Sequence, residues 1–164
     1  MARLEFDGID DLVKEINSMQ AHTDEFCGIA LYNGAKVVAD SVKQAIIELP
    51  IDNTVYVKNG MKYGPSRDQK TGLINGFGIT KMRKDDGVYN VKLGFDGFNT
   101  IKTNAWPNGQ PNSLIARAVE GGTSFLRPNK FFAKAINRSK KECEQKMQSS
   151  LENYMNNLAD RFGG

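Results

Sequence analysis

Residues 116–136 read ARAVEGGTSFLRPNKFFAKAI, and the parsing of this stretch decides the architecture. It lies between two helical patterns. Upstream, Leu114, Ile115, Ala118 and Val119 fall on one side of a short helix that follows Asn112. Gly121-Gly122 close that helix, because glycine enters the left-handed C-cap conformation without a steric penalty. After Pro128, the residues Phe132, Ile136, Cys143, Met147, Leu151, Tyr154 and Leu158 recur at steps of four, seven and three. They mark a final helix over about 130–160. Between the two lie Glu120, Thr123, Ser124, Arg127 and Lys130. Read as chemistry, the amides of a helix start beside Arg127 and Lys130 suit an anion. Read as geometry, the stretch is a helix stop, a connector and a helix start, with Thr123 or Ser124 satisfying free amides. The geometric reading weighs more, since no base, metal-ligand set or nucleophile stands behind the other. It predicts that Glu120, Thr123 and Ser124 bond to backbone near the connector, and that Phe131 or Phe132 packs under a sheet.

Upstream, ARLEF at 2–6 suits a short strand. Asp7 offers an N-cap, and Ile9, Leu12, Val13, Ile16 and Met19 form one apolar stripe of a helix over 8–20. Thr23 suits a second cap, followed by a helix from Asp24 to Leu49 with Leu31, Ala35, Val38, Val42, Ala45 and Leu49 on its stripe. Gly28 and Gly34 weaken its first half, yet they let another backbone approach closely, inside the domain before a subunit interface. Pro50 stops the helix.

Residues 51–71 are polar and aperiodic, the length of a functional or mobile loop. The clearest β signal follows. FGITKMRK at 77–84 and VYNVKLGF at 88–95 flank Asp85-Asp86-Gly87, the chemistry of a tight hairpin turn. Tyr89, Val91, Leu93 and Phe95 alternate with more polar neighbours, so one face of this antiparallel sheet is covered. Residues 96–111 are turn chemistry throughout. The whole predicts a single domain over 1–164 of α+β class, a hairpin-based antiparallel sheet packed against long N-terminal and C-terminal helices.

Charge is distributed unevenly. Residues 1–50 carry nine acids and four bases, a net −5, while 51–164 carry ten acids and eighteen bases, a net +8. Such polarity suits layered or head-to-tail assembly, or a nucleic acid touching one face. Cys27 and Cys143 belong to no CxxC or Cys/His cluster and read as buried thiols of a reducing compartment. The stretch MARLEFDGIDD lacks the apolar run of a signal peptide, and no window of about 18 apolar residues suits a membrane span. Folding in a cytoplasm is the expectation.

A nucleophilic triad needs a base, and the lone histidine, His22, stands away from any acid–hydroxyl constellation. With two separated cysteines, a transition-metal site lacks motif spacing. Asp85-Asp86 is explained by the hairpin turn, and no phosphate-loop signature is present. No catalytic residue, cofactor or metal is therefore expected. Nucleic-acid binding is the more serious rival, because 56–70 interleaves Tyr56 and Tyr63 with Lys58, Lys62, Arg67 and Lys70.

The strings TGLINGFGI (71–79), VKLGFDG (91–97), QPNSLIARAVEGGTSF (110–125) and FFAKAI (131–136) together resemble one phage family. It is the neck or tail-completion family of long-tailed double-stranded DNA phages, the head–tail joining proteins or phage tail components. Arg117, Glu120, Gly122, Thr123, Ser124 and Phe131 occupy its signature places, with Ala116 and Val119. Departures fall at Ala118 and Gly121, where the family tends to place larger residues, at Gly76, and at Pro128, three positions before Phe131. The resemblance implies a non-enzymatic structural protein, made in the host bacterial cytoplasm and placed in the virion neck. It implies a ring around the DNA channel that joins the filled head to the tail. Partners would be further copies of itself, the adjacent connector or head-closure protein, and the tail terminator or tail tube. A tail terminator capping the tube is the neighbouring alternative, and a sequence-indifferent nucleic-acid module is the alternative of another class. Loop 51–71, with Lys58, Lys62, Arg67 and Lys70, is the candidate to face a neighbour or the DNA.

Overall fold

The computed structural model describes residues 22–55 and 60–162. The expected strand at 2–6 and helix at 8–20 lie outside the described residues, as do Tyr56 and Lys58. The first described helix, α1, is Thr23–Ile47. Its N-cap residue is His22 rather than Thr23, and no side chain caps it through a hydrogen bond. Asp24 and Glu25 in its first turn suit the positive end of the helix dipole.

The last helix, Phe131–Phe162, runs antiparallel to α1 along almost its whole length. Its number, α4, follows from α2 at Arg67–Gly76 and α3 at Asn112–Gly121. The pairing can be read from one end to the other. The rings of Phe26 and Tyr154 lie 5.4 Å apart. Asn33 Nδ2 donates to Ser150 Oγ at 2.9 Å, and Ser41 Oγ donates to the Ala135 carbonyl at 3.1 Å. At Gly34 the helices come so close that a Cβ would sit 2.4 Å from Met147 Cγ. The small residues of α1 thus serve packing inside the chain, the use the sequence favoured.

The stripes differ in detail from the expected ones. Leu114 is exposed on α3, whose buried positions are Asn112, Ile115, Ala116 and Val119. In the first turns of α4 the buried positions are Phe131, Ala135 and Ser139, so Ile136 faces out. The physical reason is the aromatic pair. Phe131 enters the core, and the next inward positions follow at steps of four.

Four short strands carry the hairpin: β1 Phe77–Ile79, β2 Arg83–Asp85, β3 Val88–Asn90 and β4 Leu93–Phe95. β1 pairs with β4 and β2 with β3, both antiparallel. Between the two ladders, residues 80–82 face residues 91–92, so one extra residue bulges from the first strand. The bulge is fastened. Thr80 N–H donates to the Lys92 carbonyl at 2.8 Å, Lys92 N–H donates to Thr80 Oγ1 at 2.9 Å, and Met82 N–H donates to the Tyr32 hydroxyl on α1 at 2.6 Å. The tip is the expected two-residue turn, with Asp86 at φ 50 and Gly87 at φ 81.

The inner ladder places Phe77 opposite Phe95 and Ile79 opposite Leu93, all on the covered face. These residues meet Val42, Ile46 and Leu49 of α1, Leu73 of α2, Ile115 and Val119 of α3, and Phe131 and Ala135 of α4 in one apolar cluster. Burial of this kind is worth about 1.5–3 kcal/mol for each large side chain and dominates the stability. The outer ladder has no buried residue, and a polar clasp holds it. Lys84 Nζ donates to Asp24 Oδ1 at 3.2 Å and to the Tyr89 hydroxyl at 2.7 Å, and that hydroxyl also bonds Asp24. The architecture is α+β, a small antiparallel sheet against long helices at both ends of the described chain.

The irregular segment after α1 is shorter than 51–71. It ends at Ser66, which caps α2 by accepting from Gln69 N–H while the Gln69 side chain accepts from Ser66 N–H. Ser-x-x-Gln is a capping box written in the sequence. Arg67 and Lys70 therefore stand on a helix, not in a loop.

Candidate functional site

The joint at 120–132 is built by backbone and one carboxylate. α3 ends where Gly122 takes φ 75, and its N–H donates to the Ala118 carbonyl at 2.8 Å. A Cβ on Gly122 would meet Pro128 Cδ at 2.9 Å, so glycine is required both by conformation and by space. Thr123 and Leu126 then close a tight turn, with Thr123 N–H donating to the Leu126 carbonyl at 2.9 Å. Thr123 Oγ1 accepts from Phe125 N–H at 3.3 Å. Asn129 N–H donates back to the Val119 carbonyl at 2.9 Å, which ties the connector to α3.

Glu120, on the last turn of α3, reaches the start of α4. Its Oε2 accepts from Phe132 N–H at 2.9 Å and its Oε1 from Ala133 N–H at 3.1 Å. A helix start leaves its first amides without intrahelical partners and carries a partial positive charge. A carboxylate supplied from a neighbouring helix answers both needs. Lys130, the residue before α4, takes φ 54, a conformation costly for a side chain. Phe131 is buried, and its ring meets Phe95 edge-on at 6.2 Å, while Phe132 lies 6.1 Å from Phe95 and 6.4 Å from Phe77. Both phenylalanines pack under the sheet, and Glu120 and Thr123 bond to backbone at the connector. Ser124 is exposed, and its side chain makes no hydrogen bond among the described residues. Arg117 is exposed beside Phe95, Phe131, Phe132 and Ala116, at the rim of an apolar groove of about 240 Å³.

The second candidate region is bound to the first. Lys62 N–H donates to the Phe125 carbonyl at 2.8 Å, and Arg127 N–H donates to the Lys62 carbonyl at 3.0 Å. This makes a parallel bridge between the loop and the connector. The Arg127 guanidinium lies 4.8 Å from the centre of the Tyr63 ring, a cation–π distance. At its base the loop is fastened by Asp52, whose N–H donates to the Pro65 carbonyl at 3.0 Å. Asp52 Oδ1 accepts from Thr54 N–H at 3.0 Å and Oδ2 from Tyr63 N–H at 3.2 Å. The bonds from Thr54 first, then from Tyr63, with nearby Lys62, hold this carboxyl below its ordinary pKa. Asn53 Oδ1 accepts from Arg67 N–H at 2.9 Å.

Of the four cations of the expected contact loop, the three described ones stand in different settings. Lys58 lies outside the described residues. Lys70 Nζ donates to the carbonyls of Ile47 and Leu49, both at 2.7 Å, and so caps the C-terminus of α1. Lys62 is half-buried beside Asp52, and Arg67 is exposed on the first turn of α2. Nothing in the local spacing announced the pairing of 62 with 126, since it joins segments more than sixty residues apart.

His22 lies beside a carboxylate, with Nδ1 3.4 Å from Glu25 Oε2, but its side chain is 43% exposed. Cys27 and Cys143 are free thiols and half-buried, less enclosed than expected. Burial, then the charge of Glu144, pushes the Cys143 thiol up. Among the described residues, no three His, Cys, Asp or Glu side chains gather as a metal site. No helix among them is long and apolar enough to cross a membrane. Comparison with protein-family models, with curated proteins and with solved structures finds no match.

Proposed function

We propose that this chain is a structural assembly protein of a phage neck that joins the DNA-filled head to the tail, as a ring around the DNA channel. The observation that carries the reading is the use of Glu120. In the stretch that resembles the head–tail joining family, the carboxylate is spent on two backbone amides at the start of α4. Gly122 makes the turn, and Phe131 anchors the helix under the sheet. Of the signature residues, Glu120, Gly122 and Phe131 hold two helices against a sheet, which is the property a ring subunit needs to present its faces to unlike neighbours. On this reading the chain does no catalysis and holds no cofactor. Its partners are further copies of itself, the connector or head-closure layer, and the tail terminator or tail tube. It is made in the host cytoplasm and ends in the virion.

An extract test addresses the proposal. A lysate of host cells carrying the phage with this gene deleted supplies heads and tails, and purified protein is added to it. Infectious particles rise with added protein on this reading. A titre unchanged at any protein concentration removes it.

A further inference from the structure

The bridge between loop and connector builds a surface that neither segment has alone. Leu126 points into the core at 7% exposure, so Phe125 and Arg127 point the other way. The bridge from Lys62 to Leu126 sets Met61 and Tyr63 beside them. Tyr63 is 62% exposed and Phe125 is 60% exposed, with Arg127 stacked on the Tyr63 ring. Tyrosine, phenylalanine, methionine and arginine are the residues enriched at the centres of protein interfaces. Exposed Arg67 and Lys130 add positive charge within four residues of Tyr63 and Arg127 along the chain.

The occupant of such a patch carries both apolar side chains and carboxylates. Residues 1–21 of the chain supply that chemistry: Glu5, Asp7, Asp10, Asp11 and Glu15 outnumber Arg3 and Lys14, and apolar residues recur at steps of three and four from Ile9 to Met19. This segment leads into the N-terminus of α1. The patch belongs to the loop fastened at the opposite end of that helix, through Lys70 and Asp52. The 25 residues of α1 put about 37 Å between the two ends. We infer that the patch of Met61, Tyr63, Phe125 and Arg127 receives residues 1–21 of a second copy of the chain. The contact is head-to-tail, so each copy keeps one patch and one segment for the next, and on the ring reading the rotation between copies brings the last patch to the first segment. The inference rests on the ring reading above and names the surface that makes it.

Position 125 is exposed and tolerates a photoreactive benzoylphenylalanine. Full-length protein carrying it is prepared in light- and heavy-isotope forms, mixed at high concentration, irradiated and mapped by mass spectrometry, with sedimentation velocity alongside. The result expected is mixed light–heavy cross-links from position 125 to residues 1–21. Reversing charge with Asp10→Lys and Asp11→Lys, or with Arg127→Glu, weakens association about tenfold or more, and added salt weakens it further. Cross-links to another surface of a second copy overturn this contact while oligomers in the sedimentation profile leave the ring reading standing. Cross-links within one chain, cross-links to bound nucleic acid, or a monomer at every concentration without cross-links overturn it as well. In those cases the extract test decides the neck reading by itself.

Discussion

Glu120 is the residue on which the joint turns. Its two bonds to amide groups of α4 are charge-assisted, and a cap of this kind is worth about 1–2 kcal/mol. Glu120→Ala is expected to lower the free energy of unfolding in urea by that amount, and Glu120→Gln by less, because the amide oxygen still accepts one bond. Lys70 gives a second residue-scale test. Its ammonium caps the carbonyls of Ile47 and Leu49, so Lys70→Met is expected to cost about 1 kcal/mol in the same assay. Arg67→Met, at an exposed position, is expected to leave stability within about 0.5 kcal/mol of the parent. A Lys70 variant as stable as the parent would return that side chain to the pool available for a ligand. The sequence showed Glu120 near a connector, because the glycine pair and proline mark it. It did not show Lys70 as a cap, since its partners are carbonyls more than twenty residues upstream.

At the scale of elements, two pieces depend on polar fastening more than on burial. The outer hairpin is held by Asp24, Lys84, Tyr89 and Tyr32, and the loop base by Asp52. Asp24 is held below the ordinary carboxylate range by the Tyr89 hydroxyl first and by Lys84 next. Asp52 is lowered by its bonds from Thr54 and Tyr63. A carboxyl with a depressed folded pKa contributes stability above its unfolded value of about 4, and loses it as pH falls through the folded value. Protection from hydrogen exchange, taken relative to the intrinsic rate at each pH, is therefore expected to fall in residues 80–92 and 60–66 as pH is lowered below about 4, before the helices open. Asp24→Asn is expected to flatten that acid response in the hairpin alone. Uniform exchange across the chain would contradict the idea of separately fastened elements. These elements were unequally legible. The hairpin turn was plain from Asp85-Asp86-Gly87, and the long helices from their stripes. The bulge was not, because pairing register depends on Tyr32 and Thr80 meeting the strands. Helix α2 is masked in the sequence because two glycines dilute its apolar face, although Ser66 and Gln69 write its start.

Across the whole molecule, an apolar cluster at one end of a long helix pair supports a small sheet, and the sheet and helix pair meet at the joint. The class was legible because periodicities of two and of three to four alternate along the chain, and burial follows them. The surface uniting residues 61–63 with 125–127 was not legible, since only tertiary pairing brings them together. On the proposed reading, that surface and the joint would hold neighbours, and the charge imbalance between the first 50 residues and the rest would set direction. The most direct measurement is negative-stain imaging of particles from a host strain in which this gene alone is deleted from the phage. Full heads and free, finished tails in separate populations are predicted, with joined particles restored when the gene is supplied in trans. Normal joined particles in the deletion strain would contradict the account.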